Sequence, residues 1–102
     1  MPRWNSGKRF ADRVVIVTGA GGALGGAIAR AFGLEGASVA LAYRNSKASA
    51  DAIVDEIEHA GGTALAAQLE VTDPASVSTF IDTVVGTLGR IDVLVNTAGR
   101  ID

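Results

Sequence analysis

Four short apolar runs divide the chain at regular intervals. They cover residues 13–18, 38–43, 63–71 and 91–96, and they are rich in valine, isoleucine, leucine and alanine. Apolar and polar residues do not alternate cleanly within them, which indicates strands buried on both faces rather than on one. The pattern therefore predicts four strands of a parallel sheet that is covered by helices.

The segments between these runs change to a helical period. Apolar residues recur three and four positions apart, as they do along one face of an amphipathic helix. The predicted stripes are Leu24, Ala27, Ile28, Ala31 and Phe32 in the first helix, Ala50, Ile53, Val54 and Ile57 in the second, and Val77, Phe80, Ile81, Val84, Val85 and Leu88 in the third. We expect each stripe to face the sheet.

Residues at the ends of these segments support the helices. Asp73 followed by Pro74 is typical of a helix start, because an acidic N-cap accepts a backbone N–H and proline at the next position lacks an N–H that would have no partner. Gly89 is placed to end the third helix, and Gly36 and the pair 61–62 to end the first two.

The order of elements is strand, helix, strand, helix, strand, helix, strand. Because crossovers between parallel strands are right-handed, this order predicts the α/β class: a partial, Rossmann-like doubly wound parallel sheet of four strands in the order 3-2-1-4, with three helices. We divide the chain into a flexible N-terminal lead-in, residues 1–12, and an incomplete domain, residues 13–102. Two helices should cover one face, leaving half of the other face bare and the fourth strand with an open edge.

Composition excludes several classes of function. The 102 residues carry a net charge of -2, which gives no electrostatic reason to expect nucleic acid or an anionic membrane as partner. There is no cysteine and one histidine, His59, so we predict no metal site. No apolar run approaches the roughly 20 residues that span a bilayer, and no signal peptide is expected. We predict a cytoplasmic location.

A glycine-rich segment joins the first strand to the first helix. Its sequence is Thr18-Gly19-Ala20-Gly21-Gly22-Ala23-Leu24-Gly25-Gly26. At a helix N-terminus the backbone N–H groups and the helix dipole favour a phosphate, and small residues let a pyrophosphate approach the backbone. The segment predicts a nucleotide site. The alternative is a turn whose glycines serve only the close packing of strand and helix.

The common dinucleotide fingerprint has glycine at its first, third and sixth positions, but the sixth position counted from Gly19 is Leu24. A P-loop is also excluded, because no lysine follows a glycine in this segment. The segment instead resembles the short-chain dehydrogenase/reductase family, whose pattern is Thr-Gly, three residues, Gly or Ala, one residue, Gly. Thr18, Gly19, Ala23 and Gly25 meet that pattern.

A second motif extends the resemblance to residues 8–99. The family's Asn-Asn-Ala-Gly at the end of the fourth strand is met by Asn96, Thr97, Ala98 and Gly99, with threonine in place of the second asparagine. That departure bears on how the sheet is braced against the glycine loop. The Rossmann fold of this family binds NAD(P), so the resemblance implies a nicotinamide dinucleotide as the ligand.

The resemblance also implies which residues hold the cofactor. The assigned positions in and around the glycine loop are Thr18, Gly19, Gly21, Gly22, Ala23, Leu24 and Gly25, and those after the fourth strand are Asn96, Ala98 and Gly99. Near the third strand the family has an aspartate whose side chain meets the adenine, with the next backbone N–H completing the contact. The matching residues here are Glu70 and Val71.

The residues after the second strand bear on the choice of cofactor. Sites that take NAD place an acid here for the ribose hydroxyls, whereas this chain has Tyr43, Arg44, Asn45, Ser46 and Lys47. The planar guanidinium of Arg44 can donate two hydrogen bonds to a 2′-phosphate, and Asn45, Ser46 and Lys47 are further donors. Tyr43 would lie near the adenosine. We predict NADP rather than NAD. The alternative is that Arg44 and Lys47 are ordinary solvated charges.

The resemblance implies an oxidoreductase that transfers a hydride between NADP(H) and a small carbonyl or alcohol substrate. The family's catalytic serine and Tyr-x-x-x-Lys lie beyond the fourth strand, so we assign no catalytic residue here. Tyr43 and Lys47 match that motif as text, but the residue 13 positions before Tyr43 is Arg30 rather than a serine.

We therefore expect the N-terminal, cofactor-binding portion of such an enzyme, inactive by itself, whose longer relatives form homo-oligomers. The segment from Val39 to Asp73 looks most like 3-oxoacyl-acyl-carrier-protein reductases. The alternatives are a truncated, non-catalytic nucleotide-binding or interaction module and, more distantly, a methyltransferase on a similar sheet.

Overall fold

The computed structural model describes residues 11–19 and 22–97. Strands and helices alternate along this part of the chain. The strands are β1 (Val14–Thr18), β2 (Ser38–Tyr43), β3 (Thr63–Gln68) and β4 (Val93–Asn96), and the helices are α1 (Ala23–Leu34), α2 (Lys47–His59) and α3 (Pro74–Leu88). The predicted order of elements is confirmed.

The four strands form one parallel sheet in the order β3-β2-β1-β4, as predicted. All five residues of β1 are buried, because this strand has a neighbour on each edge and helices on both faces. In the register of the sheet, Thr18 lies opposite Ala42 on one side and Asn96 on the other. The carboxyl ends of the strands thus meet at one edge, where ligands of doubly wound sheets bind.

The two faces of the sheet carry separate cores, which confirms the predicted placement of the helices. On one face the sheet residues pack against α1 and α2; on the other face they pack against α3. The first core contains Val15, Val17, Ala29, Val39, Leu41, Ile53 and Ile57, and the second contains Val14, Ile16, Ala40, Ala42, Phe80 and Val84.

The stripe predicted for α1 is wrong in part. Leu24 is 67% exposed, and the buried residues of the helix are Gly25, Gly26 and Ala29. The reason is the short distance between α1 and the turn after β1: a Cβ atom on Gly25 would lie 2.3 Å from the carbonyl oxygen of Gly19. Small residues must face the sheet at this end of α1, and Leu24 is displaced toward solvent. Of the other predicted positions, Ile28 and Phe32 pack against the core, whereas Ala27 and Ala31 are exposed.

The stripe of α2 is confirmed, whereas that of α3 is only half-buried. In α3, Phe80 and Val84 are buried, but Val77, Ile81 and Val85 are 37 to 44% exposed. Val77 and Ile81 line a groove between α3 and the sheet, beside β1 and β4. The prediction that half of this face is bare is thereby confirmed for the described part of the chain.

The predicted helix ends are also confirmed. The side chain of Asp73 accepts a hydrogen bond from the backbone N–H two residues later, at 3.0 Å, and so caps α3. Gly89 at the end of α3 has φ of 91°, and Gly36 and Gly61 after the other two helices have φ of 92° and 90°. Glycine suits these left-handed positions because it has no Cβ.

β3 ends at Gln68 rather than at residue 71. The N–H of Leu69 still donates to the carbonyl of Tyr43, at 2.8 Å, but the N–H of Glu70 donates to Oγ of Ser76, at 2.9 Å. This bond to the first turn of α3 draws the chain away from the sheet. The first and last strands along the chain, β1 and β4, begin later than predicted, at Val14 and Val93.

Candidate functional site

A cleft lies at the carboxyl edge of the sheet, between the ends of β1, β2 and β3. It brings together six of the residues predicted to bind the cofactor, and Ala42 and Leu69 complete its wall. The six are Thr18, Gly19, Tyr43, Arg44, Glu70 and Val71. They come from three separate parts of the sequence, so their meeting at one cleft is a result of the strand order.

The turn after β1 forms one side of this cleft. Gly19 has φ of 69°, a conformation that favours glycine, and its carbonyl accepts the N–H of Gly22 at 3.0 Å. Gly22 is the N-cap of α1 and supplies no side chain there, so the first-turn N–H groups are not capped by a hydroxyl or carboxylate from that position. Ala23 and Leu24 follow with exposed side chains. Gly21 lies outside the described residues.

Reciprocal hydrogen bonds join the ends of β1 and β4. The N–H of Thr97 donates to Oγ1 of Thr18 at 3.1 Å, and Oγ1 of Thr97 donates to the carbonyl of Thr18. The hydroxyl of Thr18 in turn donates to Oδ1 of Asn96 at 2.8 Å. Thr97, the departure from the family's second asparagine, therefore does brace the sheet at the glycine turn. Ala98 and Gly99 lie outside the described part of the chain.

The opposite wall of the cleft carries an ion pair between two predicted site residues. Nε of Arg44 lies 2.9 Å from Oε1 of Glu70. The second carboxylate oxygen of Glu70 accepts a hydrogen bond from Oγ1 of Thr72, at 2.9 Å. The hydroxyl and N–H of Thr72, and then the guanidinium of Arg44, hold the pKa of the Glu70 carboxyl below its usual range.

The segment after Arg44 leads directly into α2. Asn45 and Ser46 are exposed, and Ser46 is the N-cap of the helix. Lys47 begins α2 and forms an ion pair with Asp51 at 2.7 Å; the hydrogen bond to that carboxylate raises the pKa of Lys47. Tyr43 ends β2, so Tyr43 and Lys47 lie on different elements rather than one turn apart on a helix.

Residues predicted to have no site role lie elsewhere. His59 is in the last turn of α2, with Nδ1 2.8 Å from the carbonyl oxygen of Asp55. Within residues 11–19 and 22–97, no three acidic, histidine or cysteine side chains are grouped so that they could hold a metal ion. No helix in the same ranges is long and apolar enough to cross a membrane.

This geometry can be set beside known proteins. The sequence matches the family model described as short chain dehydrogenase over residues 13–102. The chain belongs to the short chain dehydrogenase family. Over 91 residues it is 40% identical to a 7alpha-hydroxysteroid dehydrogenase of Escherichia coli and 41% identical to a versicolorin reductase of Emericella nidulans. Each alignment covers 89% of this chain, but only 35% and 34% of those proteins.

Solved structures agree with the family assignment. A short chain dehydrogenase from Burkholderia cenocepacia, in complex with NADP, superposes with a TM-score of 0.85 and is 37% identical, covering 92% of this chain and 38% of that one. A dehydrogenase/reductase from Sinorhizobium meliloti superposes with a TM-score of 0.83 at 44% identity, covering 87% of this chain and 35% of that one. The chain therefore spans about a third of the length of the curated relatives it matches.

The residues that support the cleft from behind were not predicted. Nε2 of Gln68 donates to the carbonyl of Arg44 at 3.1 Å, and Thr72 and Ser76 bond the side chain and backbone of Glu70. The positions of Thr72, two residues after Glu70, and of Ser76, in the first turn of α3, are typical of hydroxyls that bond nearby backbone or side chains. This local pattern is the signal that could have indicated their support of Glu70.

Proposed function

We propose that this short chain dehydrogenase binds NADP(H) in the cleft at the carboxyl edge of its sheet. In this proposal it is the cofactor-binding portion of an oxidoreductase acting on a small carbonyl or alcohol. The observation that carries the choice of NADP is the position of Arg44: its guanidinium stands at the wall of the cleft, at the end of β2. An arginine there favours a 2′-phosphate, whereas an acid would repel it.

The glycine turn fits a dinucleotide. Gly19 holds a positive φ, and Gly25 lies where any Cβ would meet backbone, so the backbone itself forms this wall. The first-turn N–H groups of Ala23 and Leu24 would hold the diphosphate, and Gly22, whose N–H donates to the Gly19 carbonyl, would let it approach the backbone. Gly21, Asn96, Ala98 and Gly99 stay assigned to the cofactor as part of this proposal.

The remaining residues of the cleft are assigned to the adenosine end of the cofactor. Arg44 would hold the 2′-phosphate with Asn45 and Ser46 as further donors, and Tyr43, Glu70 and Val71 would surround the adenosine. Hydride donation is the chemistry that NADPH supplies when bound. In this proposal the residues of the chain orient the cofactor, and we assign none of them as the proton donor for the substrate oxygen. The likeness to 3-oxoacyl-acyl-carrier-protein reductases stays a prediction, as does the cytoplasmic location.

Binding of NADPH and NADH to the 102-residue chain tests the proposal. We expect tighter binding of NADPH, and we expect Arg44→Ala to weaken NADPH binding about 10-fold because charge-assisted hydrogen bonds to the phosphate are lost. NADH binding should change little. Arg30→Ala is the matched control, since Arg30 also forms a solvent-exposed ion pair, but that pair joins α1 to Glu56 of α2 and lies outside the cleft. Preference for NADH in the unsubstituted chain would overturn the choice of NADP.

Carbonyl reduction by the chain separates the proposal from a catalytic role within residues 1–102. With NADPH and a panel of small ketones, we expect binding but no turnover. Turnover would show that the chain does contain a proton donor and that our assignment of no catalytic residue is wrong. Absence of any nucleotide binding would favour the alternative of an interaction module.

A further inference from the structure

Glu70 is held in the cleft wall through both its backbone and its side chain. Its N–H donates to Oγ of Ser76 at 2.9 Å, and its carbonyl accepts the N–H of Asp73 at 3.0 Å. Its carboxylate accepts the hydroxyl of Thr72 at 2.9 Å through one oxygen and pairs with Arg44 through the other. The side chain is about one-third exposed, at 34%. Both its backbone and its carboxylate are thus fixed to the turn that precedes α3.

Arg44 is held differently. Its carbonyl is fixed by the bond from Gln68, but its side chain is 72% exposed, and Glu70 is the partner with which it forms an ion pair among the described residues. The short contact is made through Nε, the guanidinium nitrogen nearest the side-chain stem. The two terminal nitrogens can make an end-on bidentate contact with a phosphate.

We propose that Glu70 is a positioning residue for cofactor choice: it holds Arg44 by Nε so that the terminal nitrogens meet the 2′-phosphate of NADP. This inference rests on the proposed function and adds to it a second residue that determines the preference. The resemblance assigned Glu70 only to the adenine. An exposed arginine otherwise samples many rotamers, and fixing one of them beforehand reduces the entropy lost on binding.

The charge of Glu70 acts in the opposite direction, because a carboxylate repels a phosphate. Two features limit that repulsion. The carboxylate is compensated at 2.9 Å by Arg44 and is hydrogen-bonded to Thr72, and the exposure of the pair lets solvent and salt screen what remains. In this proposal the positioning of Arg44 by Glu70 outweighs the repulsion between Glu70 and the phosphate. Removing the Glu70 charge distinguishes the two effects, because loss of positioning weakens binding of the 2′-phosphate and loss of repulsion strengthens it.

The test measures the binding of 2′,5′-ADP and of 5′-AMP to the full chain by calorimetry. The ratio of the two dissociation constants isolates the 2′-phosphate, because any adenine contact of Glu70 affects both nucleotides. In Glu70→Gln and Glu70→Asp we expect this preference to fall about 3- to 5-fold, the size of effect that an exposed ion pair gives. Glu70→Asp retains the charge but shortens the reach toward Arg44. Glu56→Gln, which breaks the exposed Arg30–Glu56 pair, should leave the ratio unchanged.

Each other outcome overturns the inference. Tighter binding of 2′,5′-ADP to Glu70→Gln would show that Glu70 repels the phosphate. An unchanged ratio in both variants, with the preference for 2′,5′-ADP intact, would refute the positioning role and leave the proposed function standing. Equal binding of the two nucleotides by the unsubstituted chain, or binding of neither, would refute both.

The ion pair has a readout that needs no nucleotide. The Nε–H resonance of Arg44 in a ¹⁵N NMR spectrum should move in Glu70→Gln and Glu70→Asp, and stay in place in Glu56→Gln. An Arg44 resonance that is the same with and without the Glu70 carboxylate would show that the two side chains do not pair in solution, and it would overturn the inference whatever the binding data.

Discussion

A single glycine determines how near α1 comes to the turn after β1. A Cβ atom on Gly25 would lie 2.3 Å from the carbonyl oxygen and 2.7 Å from the carbonyl carbon of Gly19, and 2.9 Å from Oγ1 of Thr97. Two of these three atoms are backbone, so no rotation of a side chain can relieve them. The same residue therefore controls both the packing of α1 and the shape of the candidate diphosphate site.

Gly25→Ala should lower the free energy of unfolding by about 1–3 kcal/mol, as overpacking at a tight contact does. It should also weaken NADPH binding, because the turn at Gly19 must shift. Gly86→Ala is the matched control: Gly86 is within α3, and a Cβ there meets nothing within 4 Å. In helix propensity that change is worth about 0.5–1 kcal/mol in favour of folding. Urea unfolding measures both, and equal effects of the two variants would contradict the steric explanation.

Asp92 ties the start of β4 to the start of β1. Its Oδ2 accepts the N–H of Val14 at 2.8 Å, and its own N–H donates to the carbonyl of Val14 at 2.9 Å. The bond from Val14, joined by Arg90 and Arg13, holds the pKa of the Asp92 carboxyl below its usual range.

A lowered carboxyl pKa makes stability depend on pH in a defined direction. The stabilisation is complete above the ordinary carboxyl pKa and is lost as the pH falls through the lower value of the folded state. The difference in unfolding free energy between the unsubstituted chain and Asp92→Asn should thus be largest near neutral pH and shrink toward about pH 3. Glu56 and Glu70 are present in both proteins, so their contributions to the pH dependence cancel in this difference. Urea unfolding at a series of pH values measures the difference, and a difference independent of pH would contradict the assignment.

At the scale of elements, local chemistry predicts where helices begin and end better than which side of them is buried. The ends of α3 follow from Asp73 and Gly89, whose effects depend on adjacent backbone only. The buried side of α1 depends on its distance from the turn after β1, which no local pattern contains. The spacing of apolar residues therefore predicted wrongly that Leu24 is buried and did not predict that Gly25 is.

The cap of α3 gives a prediction at this scale. Asp73→Ala removes the acceptor for a first-turn N–H of α3 and should lower the unfolding free energy by about 1 kcal/mol. Asp82→Ala makes the same substitution at an exposed position within α3, where alanine is the better helix former, so it should be neutral or stabilising. Thermal unfolding compares the two. Equal destabilisation by both would mean that the cap bond contributes nothing specific.

The sequence predicted which residues line the cleft, but not how their side chains contact one another. The glycine motif and the strand order placed Thr18, Gly19, Tyr43, Arg44, Glu70 and Val71 at one edge of the sheet, and the structure brings them to one cleft. The pairing of Arg44 with Glu70 was not predictable, because the two residues are distant in sequence and each had its own assigned partner. Only the register of β2 with β3 brings their side chains together.

At the scale of the whole molecule, one face of the sheet remains partly bare. We call this surface the apolar groove; it lies between α3 and the sheet. Its apolar lining is Ile16, Leu69, Val71, Val77, Phe80, Ile81, Ile91 and Leu94. Leu94 is 64% exposed, opposite Ile16 on the adjacent strand, and within the described residues β4 pairs with β1 alone. Exposed apolar surface beside an unpaired strand edge favours association.

The 102-residue chain should therefore self-associate as its concentration rises. Leu94→Glu places a charge in the apolar groove and should shift sedimentation velocity profiles toward the monomer. Leu34→Glu is the control, since Leu34 is 62% exposed but lies at the end of α1, outside the groove. A chain that stays monomeric at all concentrations, with a cooperative thermal transition, would contradict this prediction and weaken the hypothesis that the chain is a portion of a longer reductase.

The joining of β1 to β4 has a consequence for the order of events during synthesis. Thr18 and Thr97 bond across 79 positions of sequence, and Val14 and Asp92 across 78. Bringing such distant segments together is entropically slow, and a ribosome delivers β4 after the other three strands. The glycine turn is translated early, yet it acquires its brace only after Thr97 has been synthesised, so nucleotide capture should wait until β4 has docked beside β1.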